Sequence, residues 1–301
     1  MARFEITPSS IYCYCNHCIQ ANDLNLYVKT GGYEMAMKYN KFILFGDSIS
    51  QFCSSPDLEF GLQPALQHLY SRKLDIINRG FSGYNSDHAR LILPKILQQE
   101  LNESKDNVKL MTIFFGTNDA FQIDDDINRI QGLRIEKYRE NMTTIINMCL
   151  ENNIRPIVIG PALHDNRLSR IGYINRKRSL TNDATTCKRN HLYSKAAQEV
   201  AFELNVPFLD LWDCFRRYGN WTEEQLYRLT GNSNDDEYID LSKLIYDGIH
   251  LSGEGYRVLY DELIKIIKQE FPDMIAENLP MNLPYWMDID PNDLTKSLFG
   301  S

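Results

Sequence analysis

Four short stretches of this chain carry residue types suited to nucleophilic chemistry. In Gly46-Asp47-Ser48-Ile49-Ser50 a serine directly follows an apolar run. On a tight turn between a strand and a helix, a serine has its hydroxyl exposed and its amide aimed outward, the placement a nucleophile needs. Asp-Ser in that position also caps helices, so Ser48 taken alone reads as a cap. In Arg79-Gly80-Phe81-Ser82-Gly83-Tyr84-Asn85-Ser86, Gly83 either brings a backbone N–H close to a ligand or is simply a turn glycine. In Gly116-Thr117-Asn118-Asp119, Asn118 can project an amide donor or cap a helix, while Asp119 is expected to cap the following helix without a catalytic role. In Asp247-Gly248-Ile249-His250, a carboxylate three residues before a histidine can reach its Nδ1 across a turn and fix the tautomer, although a lone histidine is more often structural.

Position is what joins these stretches. Short apolar runs at 41–46, 74–79, 108–115, 155–160 and 206–211 read as buried parallel strands. Helical patterns at 87–101, 133–152, 190–205 and 252–270 alternate with them. In the last, Tyr256, Leu259, Tyr260, Leu263, Ile266 and Ile267 form one apolar face behind a Ser252 cap. Alternating strands and helices with right-handed crossovers imply an α/β protein, a three-layer α/β/α sandwich on a five-stranded parallel sheet. Ligands of such sheets lie beyond the carboxyl ends of the strands, near the switch in strand order. Each of the four stretches is expected to point into one crevice there.

The ordered set Gly46-Asp47-Ser48, Gly83, Gly116-Thr117-Asn118-Asp119 and Asp247-Gly248-Ile249-His250 resembles the four blocks of the SGNH, or GDSL, hydrolase superfamily. Phe42-Ile-Leu-Phe-Gly-Asp-Ser-Ile, Arg79-Gly-Phe-Ser-Gly-Tyr and Ile157-Val-Ile-Gly-Pro161 resemble more narrowly its isoamyl acetate-hydrolysing esterase branch. The likeness covers about residues 39–275 and implies a flavodoxin-like sheet. It also implies roles: Ser48 as nucleophile, His250 as general base and then acid, and Asp247 as the group orienting the imidazole. The oxyanion hole would be the backbone N–H groups of Ser48 and Gly83 with the Asn118 amide. A histidine titrating near pH 6.5 can take a serine proton at neutral pH, and three donors suit a tetrahedral oxyanion. The activity implied is hydrolysis of small acetate esters through an acyl-enzyme. A thioesterase or lysophospholipase would share the catalytic set, and a non-catalytic flavodoxin-like binding module is the rival from another class.

Other chemistries are disfavoured. The chain has no Gly-x-Ser-x-Gly elbow, His-Glu-x-x-His pair or Gly-x-x-x-x-Gly-Lys loop. Cys13, Cys15, Cys18 and His17 match no standard zinc knuckle, so no metal or organic cofactor is expected. A net charge of −8 argues against nucleic acid and anionic lipid, leaving a small-molecule ester as the expected partner, with a homodimer compatible. Seven cysteines in 301 residues suggest reduced thiols and the cytoplasm, and no apolar run approaches a membrane span. Without a secretory leader, the acceptor patterns at Asn102, Asn141 and Asn220 read as chance matches.

Residues 1–38 read as an irregular extension, 39–275 as the hydrolase domain and 276–301 as a tail. Two excursions interrupt the pattern. The basic segment 164–190 is expected to be a solvated surface loop, and 216–242 a second loop with the acidic cluster Asp235-Asp236-Glu237. Phe115 and Phe121, on either side of the Asn118 turn, are read either as walls narrowing the acyl site or as core aromatics.

Overall fold

Residues 40–46 of the chain, Asn-Lys-Phe-Ile-Leu-Phe-Gly, alternate large apolar side chains without a polar interruption after Lys41, so both faces of the strand they form must be covered. The computed structural model describes residues 39–101, 106–122, 130–169, 185–229 and 239–299. Its strands are β1 (Asn40–Gly46), β2 (Leu74–Gly80), β3 (Val108–Phe114), β4 (Arg155–Ile159) and β5 (Phe208–Leu209). They form one parallel sheet in the order β2-β1-β3-β4-β5. The α/β/α sandwich inferred from the alternation of strand and helix is therefore the observed architecture.

The helices are α1 (Ser48–Phe52), α2 (Leu62–Leu69), α3 (Ser86–Glu100), α4 (Ile135–Glu151), α5 (Cys187–Glu203), α6 (Leu211–Tyr218), α7 (Glu223–Tyr227), α8 (Gly253–Glu270) and α9 (Leu294–Phe299). Phe42 and Leu44 of β1 point into one core with Leu66 of α2, Phe215 of α6 and Leu259 and Leu263 of α8. Ile43 and Phe45 point into the other with Leu93 of α3, Ile145 of α4 and Val200 of α5. Tyr256, Leu259, Leu263 and Ile267 are the fully buried residues of the α8 stripe, and the Ser252 Oγ cap accepts the Gly255 N–H.

Register decides where the loops emerge. Gly46 lies beside Gly80 on one side and Phe114 on the other, so β1, β2 and β3 end level with one another. The segments that follow them, reaching Ser48, Gly83 and Asn118, leave the sheet at the same edge. That edge is also where the strand order reverses, with β2 to one side of β1 and β3 to the other.

Several expectations need correction. The fifth strand pairs only at Phe208–Leu209, because Pro207 offers β4 a carbonyl but no N–H, and Asp210 already caps α6. The basic excursion is not solvated where it begins: His164, Asp165, Asn166 and Ser169 are all buried, and Arg167 is held by Asp165 and the Ile239 carbonyl. Residues 170–184 lie outside the described residues. The second excursion contributes α7 and the buried Leu226, Leu229, Ile239 and Leu241 to the core, while its acidic cluster lies outside the described residues. The extension 1–38, with Cys13, Cys15, Cys18 and His17, also lies outside them. In the tail, Ala276 is buried, and Arg72 donates to the Leu283 and Pro284 carbonyls. Asn141, one of the glycan-acceptor matches, is buried and bonded to Ser86 Oγ, which leaves no room for a sugar.

Among the described residues no helix is long and apolar enough to cross a membrane. Cys53, Cys149, Cys187 and Cys214 are free and buried, and burial pushes each thiol up to about 12.

Candidate active site

Asp47 is the first residue past β1 and the cap of α1: its Oδ1 accepts the Ile49 N–H at 2.9 Å. The cap holds Ser48 at the first position of the helix, where its own N–H has no intrahelical partner. Ser48 is 5% exposed at the bottom of the crevice. From the far end of the chain, His250 Nε2 reaches Ser48 Oγ at 3.0 Å. His250 Nδ1 lies 2.7 Å from Asp247 Oδ2, and Asp247 Oδ1 accepts the N–H groups of Ile249 (3.0 Å) and His250 (2.8 Å). With the Nδ1 proton on the carboxylate side, Nε2 is left to accept from the serine hydroxyl. Burial alone would raise the Asp247 carboxyl, but the hydrogen bond and charge of His250 outweigh it and hold it below the usual carboxylate range.

The turn carrying this pair is braced by the segment after β4. Gly248 has φ of +90°, and a Cβ there would stand 2.4 Å from the Asp165 carbonyl oxygen and 2.5 Å from the Ser169 nitrogen. The Asp165 N–H donates to the Gly248 carbonyl at 2.9 Å. The buried start of the basic excursion thus supports the Asp247–His250 turn.

On the opposite side of Ser48, Gly83 has φ of +80°, and no acceptor takes its N–H among the described residues. Asn118 Nδ2 donates to the Tyr84 carbonyl at 2.8 Å and to Asp47 Oδ2 at 3.4 Å. Gln131 ties the two together, its Nε2 donating to the Gly83 carbonyl at 3.1 Å and to Asn118 Oδ1 at 3.3 Å. Nothing in the sequence singles out Gln131, since it belongs to no motif and lies in a loop. Asp47 is also more than part of a motif, because it braces both Ser48 and Asn118. Burial pushes its carboxyl up to about 7, so near neutrality it carries only part of a negative charge beside these donors.

Asp119 caps no following helix. Its carboxylate accepts the N–H and the hydroxyl of Ser86, pinning the start of α3. Phe115 is a core aromatic, set edge to face against Phe45, and Phe121 is buried too, so neither is an exposed wall of the site. The rings that do border His250 are Phe52, edge to face with centroids 5.2 Å apart, and Tyr246, stacked at 6.0 Å. Both were illegible in the sequence because aromatic residues carry no motif of their own. Among the described residues no group of three or more His, Cys, Asp and Glu is placed to hold a metal ion.

A doubly wound parallel sheet with a serine, histidine and aspartate chain at its switch point, facing a glycine N–H and an asparagine amide, defines a class of α/β hydrolase architecture. The model of the GDSL-like lipase/acylhydrolase family matches residues 44–258, a span that includes all of these groups. The chain belongs to that family. The isoamyl acetate-hydrolyzing esterase of Saccharomyces cerevisiae is 32% identical over 267 residues, covering 84% of this chain and 96% of that protein. The human isoamyl acetate-hydrolyzing esterase 1 homolog is 29% identical over 90% of this chain and 97% of its own length. The solved acetyl xylan esterase AlAXEase shares the fold, with a TM-score of 0.53 and 18% identity over 75% of this chain and 99% of its own.

Proposed function

We propose that this chain is a serine esterase that hydrolyses small carboxylic esters, acetates above all, through an acyl-enzyme. The observation that carries the reading is the hydrogen-bonded chain Asp247–His250–Ser48, closed between residues 202 positions apart at the edge where the Gly83 and Asn118 donors also emerge. The acetate preference comes from the yeast relative, whose name states that it hydrolyses isoamyl acetate.

In this reading the Ser48 hydroxyl attacks the ester carbonyl carbon as its proton passes to His250 Nε2. Asp247 keeps the ring oriented and stabilises the imidazolium that forms. The carbonyl oxygen becomes an oxyanion facing the Ser48 and Gly83 N–H groups and the Asn118 amide. The carbon–oxygen bond to the alcohol then breaks, and His250 gives its proton to the leaving oxygen. Water attacks the acyl-serine with His250 again as base, which releases the acid and restores Ser48. The four free thiols support a cytoplasmic enzyme.

The test is turnover of isoamyl acetate by the purified chain. Ser48→Ala should lower kcat on the order of 10⁴-fold or more with an unchanged circular dichroism spectrum. A folded variant with full activity would remove Ser48 from the reaction.

A further inference from the structure

Given the esterase reading above, proton transfer fixes which side of the site the alcohol must occupy. The carbonyl oxygen has to face the Gly83 and Asn118 donors, so the leaving oxygen has to lie on the His250 side, within reach of Nε2. On that side the rings of Phe52 and Tyr246, which flank the imidazole, are also walls of a cavity of about 690 Å³. Leu58, Leu251 and Tyr256 continue its apolar lining. Neither Gly83 nor Asn118 belongs to it.

The size and charge of this cavity say what it takes. Its volume lies within the roughly 300–1,000 Å³ typical of pockets for drug-sized ligands, more room than a five-carbon alcohol needs. Asp57, Glu59 and Glu254 stand along it against a single cation, Lys243, whose Nζ lies 5.3 Å over the Tyr218 ring. An anionic group at the far end of the alcohol would meet this excess of carboxylates.

We propose that the cavity beside His250 is the alcohol pocket and that it sets the substrate class: esters of a short acid with a bulky, apolar alcohol that carries no negative charge. Specificity then lies mainly on the leaving-group side, with Phe52, Leu58 and Tyr246 shaping it.

The experiment fixes the acyl group and varies the alcohol, measuring kcat/KM for ethyl, 3-methylbutyl, 2-phenylethyl and 2-naphthylethyl acetates. Burial of each added methylene should raise kcat/KM about 4-fold, so 2-phenylethyl acetate should exceed ethyl acetate by roughly 50-fold or more. Leu58→Trp should lower the two aromatic esters by about 10-fold or more and ethyl acetate by less than about 3-fold. Ser55→Phe, at a second lining position, should do the same, which guards against a folding defect specific to Leu58. Hexyl acetate should exceed 6-acetoxyhexanoate by about 10-fold or more, and Asp57→Asn with Glu59→Gln should narrow that gap by about 3-fold. Ester hydrolysis that is indifferent to the alcohol, or fillers that slow every ester equally, would overturn the alcohol-pocket assignment while leaving the esterase reading intact. No hydrolysis of any member would overturn the esterase reading and this inference with it.

Discussion

Asn118→Ala separates an oxyanion donor from a structural amide. In the wild type the Asn118 side chain makes two kinds of contact: it donates to Tyr84 O and Asp47 Oδ2, and it accepts from Gln131. Losing one donor to a developing oxyanion costs about 2.7–4 kcal/mol, or 10²–10³ in kcat. Losing the neutral structural bonds costs about 1 kcal/mol each, roughly 5-fold. The second effect can be measured alone in Gln131→Ala, which breaks the ties to Gly83 O and Asn118 Oδ1 but removes no group assigned to the oxyanion hole. Steady-state hydrolysis of p-nitrophenyl acetate should therefore show Asn118→Ala down by at least about 100-fold in kcat with KM nearly unchanged, because the donor matters most in the transition state. Gln131→Ala should fall by about 10-fold or less. A kcat within about 3-fold of wild type in Asn118→Ala, or equal losses in the two variants, would refute the oxyanion assignment.

Gly248→Ala should destabilise the fold by about 2 kcal/mol or more and cut turnover, since the residue has φ of +90° and a Cβ would collide with the Asp165 carbonyl; an unchanged melting temperature would contradict this. Burial pushes the Asp119 carboxyl from 3.8 up to about 7, so across that window the folded chain binds more protons than the unfolded one. Its contribution is complete below the unfolded value and is lost as pH rises through about 7, with a slope of at most about 1.4 kcal/mol per pH unit for the group. Asp119→Asn should flatten the fall of the melting temperature between pH 4 and 7, and an identical pH profile would sink the idea. Along p-nitrophenyl esters from acetate to decanoate, kcat/KM should be highest for acetyl, lower for butyryl and far lower for long chains; a maximum at octanoate or beyond would move the enzyme to the lipase-like rival.

What the sequence revealed follows from where its chemistry sits. Ser48, Gly83 and Asn118 follow strands whose continuous apolar runs are unmistakable, and register then brings them to one edge. Asp247 and His250 are legible because three-residue spacing suffices for a carboxylate to reach a ring across a turn. Gln131, Phe52 and Tyr246 are different: each acts through tertiary contact, from a loop or a five-residue helix, and carries no periodicity or motif. The basic excursion was misread at its start because Asp165 and Arg167 look solvated as letters, whereas they pair with each other beside the Gly248 turn. Asp119 was assigned to the wrong helix because its partner, Ser86, lies 33 residues earlier in the chain. The last strand was overestimated because Pro207 and the Asp210 cap confine its ladder to two residues.

The central claim is that Ser48 is a nucleophile activated by His250. A fluorophosphonate probe reacts with activated serines, so labelling of the intact chain followed by peptide mapping tests it directly. The probe should attach at Ser48 alone, and His250→Ala should slow labelling by about 100-fold or more while the protein stays folded. Attachment at another serine, or labelling of Ser48 at the wild-type rate in His250→Ala, would contradict it.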